Sequence, residues 1–144
     1  VFLGYRHFDQ SKVKPLFPFG YGLSYTTFKY DNLTVTPGTS KGDEPVTVSF
    51  DLTNTGDREG TEVAEVYVGD SHSSIPRPVK ELKGFSKVEL KPGETKHVSV
   101  ELNKRALSYF DVTSEDWKAE PGVFNILVGS SSQNIALKGQ LTLE

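Results

Sequence analysis

Five carboxylates stand where acid–base chemistry would first be sought: Asp9, Asp51, Asp111, Glu115 and Asp116. Cleaving a glycosidic bond needs two carboxyls held roughly 5 to 9.5 Å apart, one of them with a raised pKa. Asp51 alternates with apolar neighbours and is expected to face out of a strand, and Asp111 to Asp116 read as an acidic loop beside Trp117. Neither setting supplies a cleft, so these residues read as surface charge. His7, His72 and His97 lie far apart in the chain. His97 alternates with valines and is expected to face solvent. His72 sits in the polar run Asp70-Ser71-His72-Ser73-Ser74, where nothing at ligand spacing supports a metal bound with Asp70. Gly20-Tyr21-Gly22 has two glycines of a dinucleotide fingerprint but lacks the third and any βαβ unit around it. A Walker loop, a Gly-x-Ser-x-Gly elbow and a His-Glu-x-x-His helix are all missing. With no cysteine there is no thiolate nucleophile, disulfide or Cys-ligated metal centre. The sequence assigns no catalytic residue, no metal ligand and no cofactor.

Binding chemistry is better represented. Trp117 is the only tryptophan, and together with Tyr109 and Tyr67 it offers a surface for stacking on a sugar ring. The plainer alternative is a Trp buried in the core or in a contact with another domain. Asn32-Leu33-Thr34 matches a glycosylation acceptor, meaningful only in a secreted eukaryotic protein. Aromatic residues crowd the opening of the chain. Seven of the sixteen (Phe2, Tyr5, Phe8, Phe17, Phe19, Tyr21 and Tyr25) fall within residues 1–27, among the breakers Gly4, Pro15, Pro18, Gly20 and Gly22. This stretch reads as an extended arm studded with anchors. Either the arm folds back on its own domain, or some anchors belong in a neighbouring one.

The elements that position these residues are strands. Val46, Val48, Phe50 and Leu52 alternate with polar residues, as do Val98, Val100 and Leu102, and Ala64, Val66 and Val68 against Glu65 and Tyr67. Phe124, Ile126 and Val128 make another apolar face, and Ile135, Leu137, Leu141 and Leu143 a further one. Two segments slip phase by one residue, between Tyr30 and Leu33 and across Gly84, which predicts β-bulges. Pro37-Gly38, Asn54-Thr55-Gly56-Asp57, Pro92-Gly93 and Pro121-Gly122 supply turns. Asn103 is placed to cap one short helical turn through Leu107. Seven such segments predict an all-β protein, an antiparallel β-sandwich of about seven strands preceded by the arm.

Composition sets outer bounds. The 144 residues suffice for one domain, and 15 valines and 12 threonines against 4 alanines lean toward strand. A net charge of −3 with scattered Lys and Arg gives no nucleic-acid footprint. No apolar run approaches the roughly 18 residues of a membrane span. No signal segment is visible and the compartment stays open. Without a single Met, and opening inside an aromatic stretch, the chain reads as a segment cut from a longer one.

Two stretches carry a resemblance. Gly4-Tyr5-Arg6-His7-Phe8-Asp9 and Pro15-Leu16-Phe17-Pro18-Phe19-Gly20-Tyr21-Gly22-Leu23-Ser24-Tyr25-Thr26-Thr27-Phe28 resemble the end of glycoside hydrolase family 3 enzymes. Pro76-Arg77-Pro78-Val79-Lys80-Glu81-Leu82-Lys83-Gly84-Phe85 and Leu107-Ser108-Tyr109-Phe110-Asp111 agree with it. The resemblance implies a C-terminal sandwich of the immunoglobulin/fibronectin type III-like kind at 28–144, with 1–27 as a linker from an upstream α/β domain. It also implies that nucleophile and acid/base residue lie on upstream domains, because no position here matches either motif. The parent would then be a retaining β-glucosidase-like hydrolase and this chain a non-catalytic part of it. Expected partners are those upstream domains, met through Tyr5, Phe17, Phe19, Tyr21, Tyr25, Pro76, Arg77 and Pro78, and a second copy of the parent is a further candidate. The alternative is a polysaccharide-binding module using Trp117, Tyr109 and Tyr67.

Overall fold

The computed structural model describes residues 1–144. Its elements in chain order are α1 (Tyr5–Ser11), β1 (Phe28–Thr36), β2 (Thr39–Ser40), β3 (Val46–Asn54), β4 (Gly60–Asp70), β5 (Glu81–Leu90), β6 (Thr95–Leu102), α2 (Lys104–Leu107), β7 (Tyr109–Asp111), β8 (Asp116–Lys118), β9 (Gly122–Gly129) and β10 (Ile135–Leu143). Seven strands are long and three are short. Three strands in the order β1-β3-β6 form one sheet and five in the order β2-β10-β9-β4-β5 form the other, so the fold is the predicted sandwich. All pairings are antiparallel except β2 with β10.

Alternation explains the core. Val46, Val48, Phe50 and Leu52 point inward from β3, and their polar partners Thr47, Ser49, Asp51 and Thr53 point out. They meet Val66 and Val68 of β4, Val98, Val100 and Leu102 of β6, and Phe124, Ile126 and Val128 of β9 in one buried cluster. Both predicted bulges are present. The β1–β3 register shifts between Asp31 and Thr34, where Asn32 takes a positive φ of 53°. The β4–β5 register shifts where Val66 faces Gly84 and Tyr67 faces Leu82, leaving Lys83 as the extra residue. Asn103 caps α2, its side chain accepting from the Ala106 N–H.

Three features depart from the sequence reading. The arm is not extended throughout, since Tyr5–Ser11 is helical. This helix buries no residue completely and Gly4 gives it no side-chain cap, so its anchors are tertiary contacts rather than propensity. The acidic loop beside Trp117 is instead a hairpin, in which Phe110 pairs with Trp117 and Glu115 turns at φ 52°. Finally, β4 does not keep one solvent face. Ala64 to Gly69 are buried without a break, which an alternating strand reaches only when a second layer covers its outer face. That layer is the arm.

Candidate functional site

The outer face of β4 carries Glu65 and Tyr67, and the arm lies across both. Tyr5 of α1 stands edge-on to the Tyr67 ring at 5.9 Å and stacks on Phe19 at 4.8 Å. Its hydroxyl accepts a hydrogen bond from the Leu82 N–H at 2.8 Å. One turn further, Asp9 takes the Lys80 ammonium at 2.6 Å and the Gln133 amide at 3.0 Å. Both charged side chains are nearly dry, Asp9 at 5% exposure and Lys80 at 9%. Arg6 reaches Glu81 at 3.0 Å. The Phe19 carbonyl accepts from the Ser132 N–H at 2.8 Å, tying the middle of the arm to the β9–β10 loop.

Gly20 lies on the Glu65 carboxyl. Its φ of +81° favours glycine, and a Cβ there would press on the carboxyl, so a larger residue would be strained and would have to displace the Glu65 side-chain end. The Tyr67 hydroxyl donates to Glu65 beneath it. Burial holds the Glu65 carboxyl above the usual carboxylate range. Glu62, three residues earlier on β4, is also pushed up by burial, although the Tyr30 hydroxyl donates to it at 2.9 Å. Burial, and then these carboxylates, push the Tyr30 and Tyr67 hydroxyls far up, so both stay protonated. Beyond Gly20 an open groove of about 880 Å³ runs between arm and sandwich, lined by Tyr21, Leu23, Phe28, Glu62, Val63 and Gln133 among others.

The end of the arm is sewn in by one amide. Asn54 is fully buried, and its Nδ2 donates to the Arg58 carbonyl at 2.7 Å and the Leu90 carbonyl at 2.9 Å. Its Oδ1 accepts from the Thr26 hydroxyl at 2.7 Å and from the Gly56 N–H at 3.0 Å. The amide therefore uses its full hydrogen-bonding capacity. Sequence reasoning took Asn54 as turn chemistry alone and missed this role; the signal was a polar residue falling in phase with Val48, Phe50 and Leu52.

Seven of the eight residues expected to face another domain divide into two groups. Tyr5, Arg77 and Pro78 are used within the chain. Arg77, 6% exposed, pairs with Asp70 and Glu81 and donates to the Leu107 and Ser108 carbonyls, and Pro78 is buried beside it. Phe17, Tyr21, Tyr25 and Pro76 are exposed, with Phe17 leaning on Tyr21 at 5.4 Å. Phe19 is divided, its ring on Tyr5 and half its surface open. Leu16, Leu23 and Tyr25 project most, at 88%, 91% and 91% exposure. The arm thus has an inner side bonded to the sandwich and an outer side that is apolar and bare.

The three sugar-stacking candidates are not assembled. Tyr67 has no exposed surface, because the arm covers it, and this corrects its place on that surface. Tyr109 is held from one side by the Arg77 guanidinium at 5.8 Å, and its hydroxyl donates to Glu120 at 3.3 Å. Trp117 is 44% exposed, but Arg105 lies over its ring at 4.3 Å and Phe110 abuts it at 5.8 Å. Asp70 is committed to Arg77 and to the His72 N–H. His97, which does face solvent, bonds Asp51 at 2.8 Å.

The comparisons with known proteins agree with this architecture. A family model described as a fibronectin type III-like domain matches residues 62–132. The thermostable beta-glucosidase B of Acetivibrio thermocellus is 46% identical over 138 residues, covering 96% of this chain and 18% of that protein. Beta-glucosidase BoGH3A of Bacteroides ovatus is 44% identical over 144 residues, covering the whole chain and 19% of that protein. Among solved structures, the GH3 beta-glucosidase of Bifidobacterium adolescentis superposes with a TM-score of 0.92 at 39% identity, over 99% of this chain and 21% of that one. The chain spans about a fifth of the length of these relatives.

Proposed function

The chain belongs to the fibronectin type III-like domains carried by glycoside hydrolase family 3 β-glucosidases, and from that premise we propose that it serves such an enzyme as a non-catalytic accessory domain. In this reading residues 28–144 are the sandwich and 1–27 the linker that joins it to the catalytic part. The longer protein hydrolyses β-glucosides, and the accessory domain stabilises it by interdomain packing. One observation carries the reading. The arm is bonded to the sandwich along one side, through Tyr5, Asp9 and Phe19, while its other side leaves Leu16, Phe17, Leu23 and Tyr25 bare. Large apolar side chains left exposed along a segment that is bonded down on its other side are what a contact with a further domain would cover. Because the inner bonds already fix the arm, covering its outer side costs little further ordering entropy.

The test compares Leu23→Ser/Tyr25→Ser in the isolated chain and in the full-length enzyme. In the isolated chain both positions are surface, so stability should move by no more than about 0.5 kcal/mol. In the enzyme the same changes should lower the unfolding temperature of the whole molecule and speed its thermal inactivation. Equal, negligible effects in both settings would remove the packing role.

A further inference from the structure

The inner side of the arm, whatever covers its outer side, rests on a carboxyl group that has no counter-ion. Glu65 is 6% exposed. Its companions can be named element by element. Tyr67 and Glu62 share its strand. Gly20 comes from the arm and lies on the carboxyl, while the arm's Tyr5 and Asp9 stand near Tyr67. Phe85 and Gly129 stand opposite it on the neighbouring strands. Lys80 comes from the segment before β5 and reaches over the Tyr67 ring at 5.9 Å. Lys87 stands on the same face of β5, opposite Val63, without pairing with Glu65, and Lys80 is committed to Asp9. An ionised Glu65 under the arm has the Tyr67 hydroxyl as its one hydrogen-bond donor from the chain. A protonated Glu65 is compatible with the same geometry, its carbonyl oxygen still accepting from the Tyr67 hydroxyl.

We propose that the arm is a proton-linked strap, docked most firmly when Glu65 is protonated and loosened when Glu65 ionises. Lifting the arm is how the carboxylate regains water, because Gly20 is the lid over it. The direction follows from linkage. Docking buries Glu65 and raises its pKa, so the docked arm keeps a proton that the released arm has lost. Docking is strongest below the ordinary carboxyl value of 4.5, weakens as pH climbs through it, and levels off above the docked value. The dry Asp9–Lys80 pair holds the strap in place across that range. In this account pH sets how often the outer apolar side moves away from the sandwich.

Two backbone amides report the strap directly in the full chain, because their acceptors are arm atoms: Leu82 N–H to Tyr5 Oη and Ser132 N–H to the Phe19 carbonyl. Their hydrogen-exchange protection, corrected for intrinsic rate, is followed from pH 4 to pH 8 beside core amides of β3. Protection of both should fall about tenfold for each unit by which docking raises the Glu65 pKa, while the core amides hold. Glu65→Gln should abolish the fall, and Glu62→Gln should preserve it. Gly20→Ala, strained at φ +81° and crowding the carboxyl, should weaken Leu82 protection at every pH. Flat protection in the native chain, an equal fall in E65Q, loss of the fall in E62Q, or core amides weakening in step would each overturn the proposal.

Discussion

Replacing Asp9 by Ala tests how the arm is held, because Asp9 is the only carboxylate on Lys80 and both side chains are nearly dry. Removing one partner of a buried ion pair costs roughly 3–5 kcal/mol, most of it the penalty of a buried unpaired charge. Here the Lys80 ammonium would keep only the Tyr67 ring at 5.9 Å, and the Gln133 amide would lose its acceptor as well. The chain has a cheaper way out, which is to release the arm and let Lys80 hydrate. The measured loss is therefore the smaller of two quantities, the broken-pair cost and the free energy of arm docking. Urea unfolding gives the loss, and exchange at Leu82 tells which route was taken. If the arm stays docked, stability drops by about 3–5 kcal/mol with Leu82 still protected. If it releases, the drop is smaller and Leu82 exchanges freely. Asp9→Leu/Lys80→Met, which removes both charges, should recover most of the loss, since apolar replacement of a buried pair is commonly neutral or better. A loss below about 1 kcal/mol with Leu82 still protected would mean that the pair behaves like an exposed one, and the reasoning would fail.

Further outcomes are expected elsewhere. Asn54→Ala strands two carbonyls and two donors around a buried site, and should cost on the order of 3 kcal/mol or more by denaturant titration; a loss under about 1 kcal/mol would deny the amide its role as a knot. Hydrogen bonds from Asn32 and His97 hold the Asp51 carboxyl below its ordinary value, and bonds from Ser74 do the same for Glu120. Their stabilisation is present above that value and lost as pH falls through the lowered one, so Asn32→Ala should shallow the acid limb of the stability curve. Purified chain should not turn over an aryl β-glucoside; turnover abolished by Asp111→Asn or Glu115→Gln would contradict the non-catalytic reading. Insoluble cellulose and xylan should retain neither the chain nor Trp117→Ala, and retention lost in the variant would favour the polysaccharide-binding alternative.

What was legible in the sequence was local. Alternation in β3, β6 and β9 gave the core, the phase slips gave both bulges, and Asn103 gave the α2 cap, because each signal lies within a few residues of its consequence. What was illegible depended on distant chain. Glu65 and Tyr67 read as a solvent face because the layer that covers them comes from residues some sixty positions earlier. The helix at Tyr5–Ser11 is held by bonds to Leu82, Lys80 and Gln133, which no local propensity announces. Arg77 and Pro78 looked like a rigid contact loop, and burial turned them inward as a brace between Asp70, Glu81 and the end of α2. The crowding of aromatics at the start was legible as an anchor set; its division into two sides was not, since that needs the sheet beneath.

The central claim is that the outer side of this arm is a contact surface within a larger β-glucosidase. Side-chain footprinting of Leu16, Phe17, Leu23 and Tyr25, in the isolated chain and in the full-length enzyme, measures it at the residues concerned. Strong labelling of all four in the isolated chain and protection in the enzyme is the predicted result. Equal labelling in both would contradict the account.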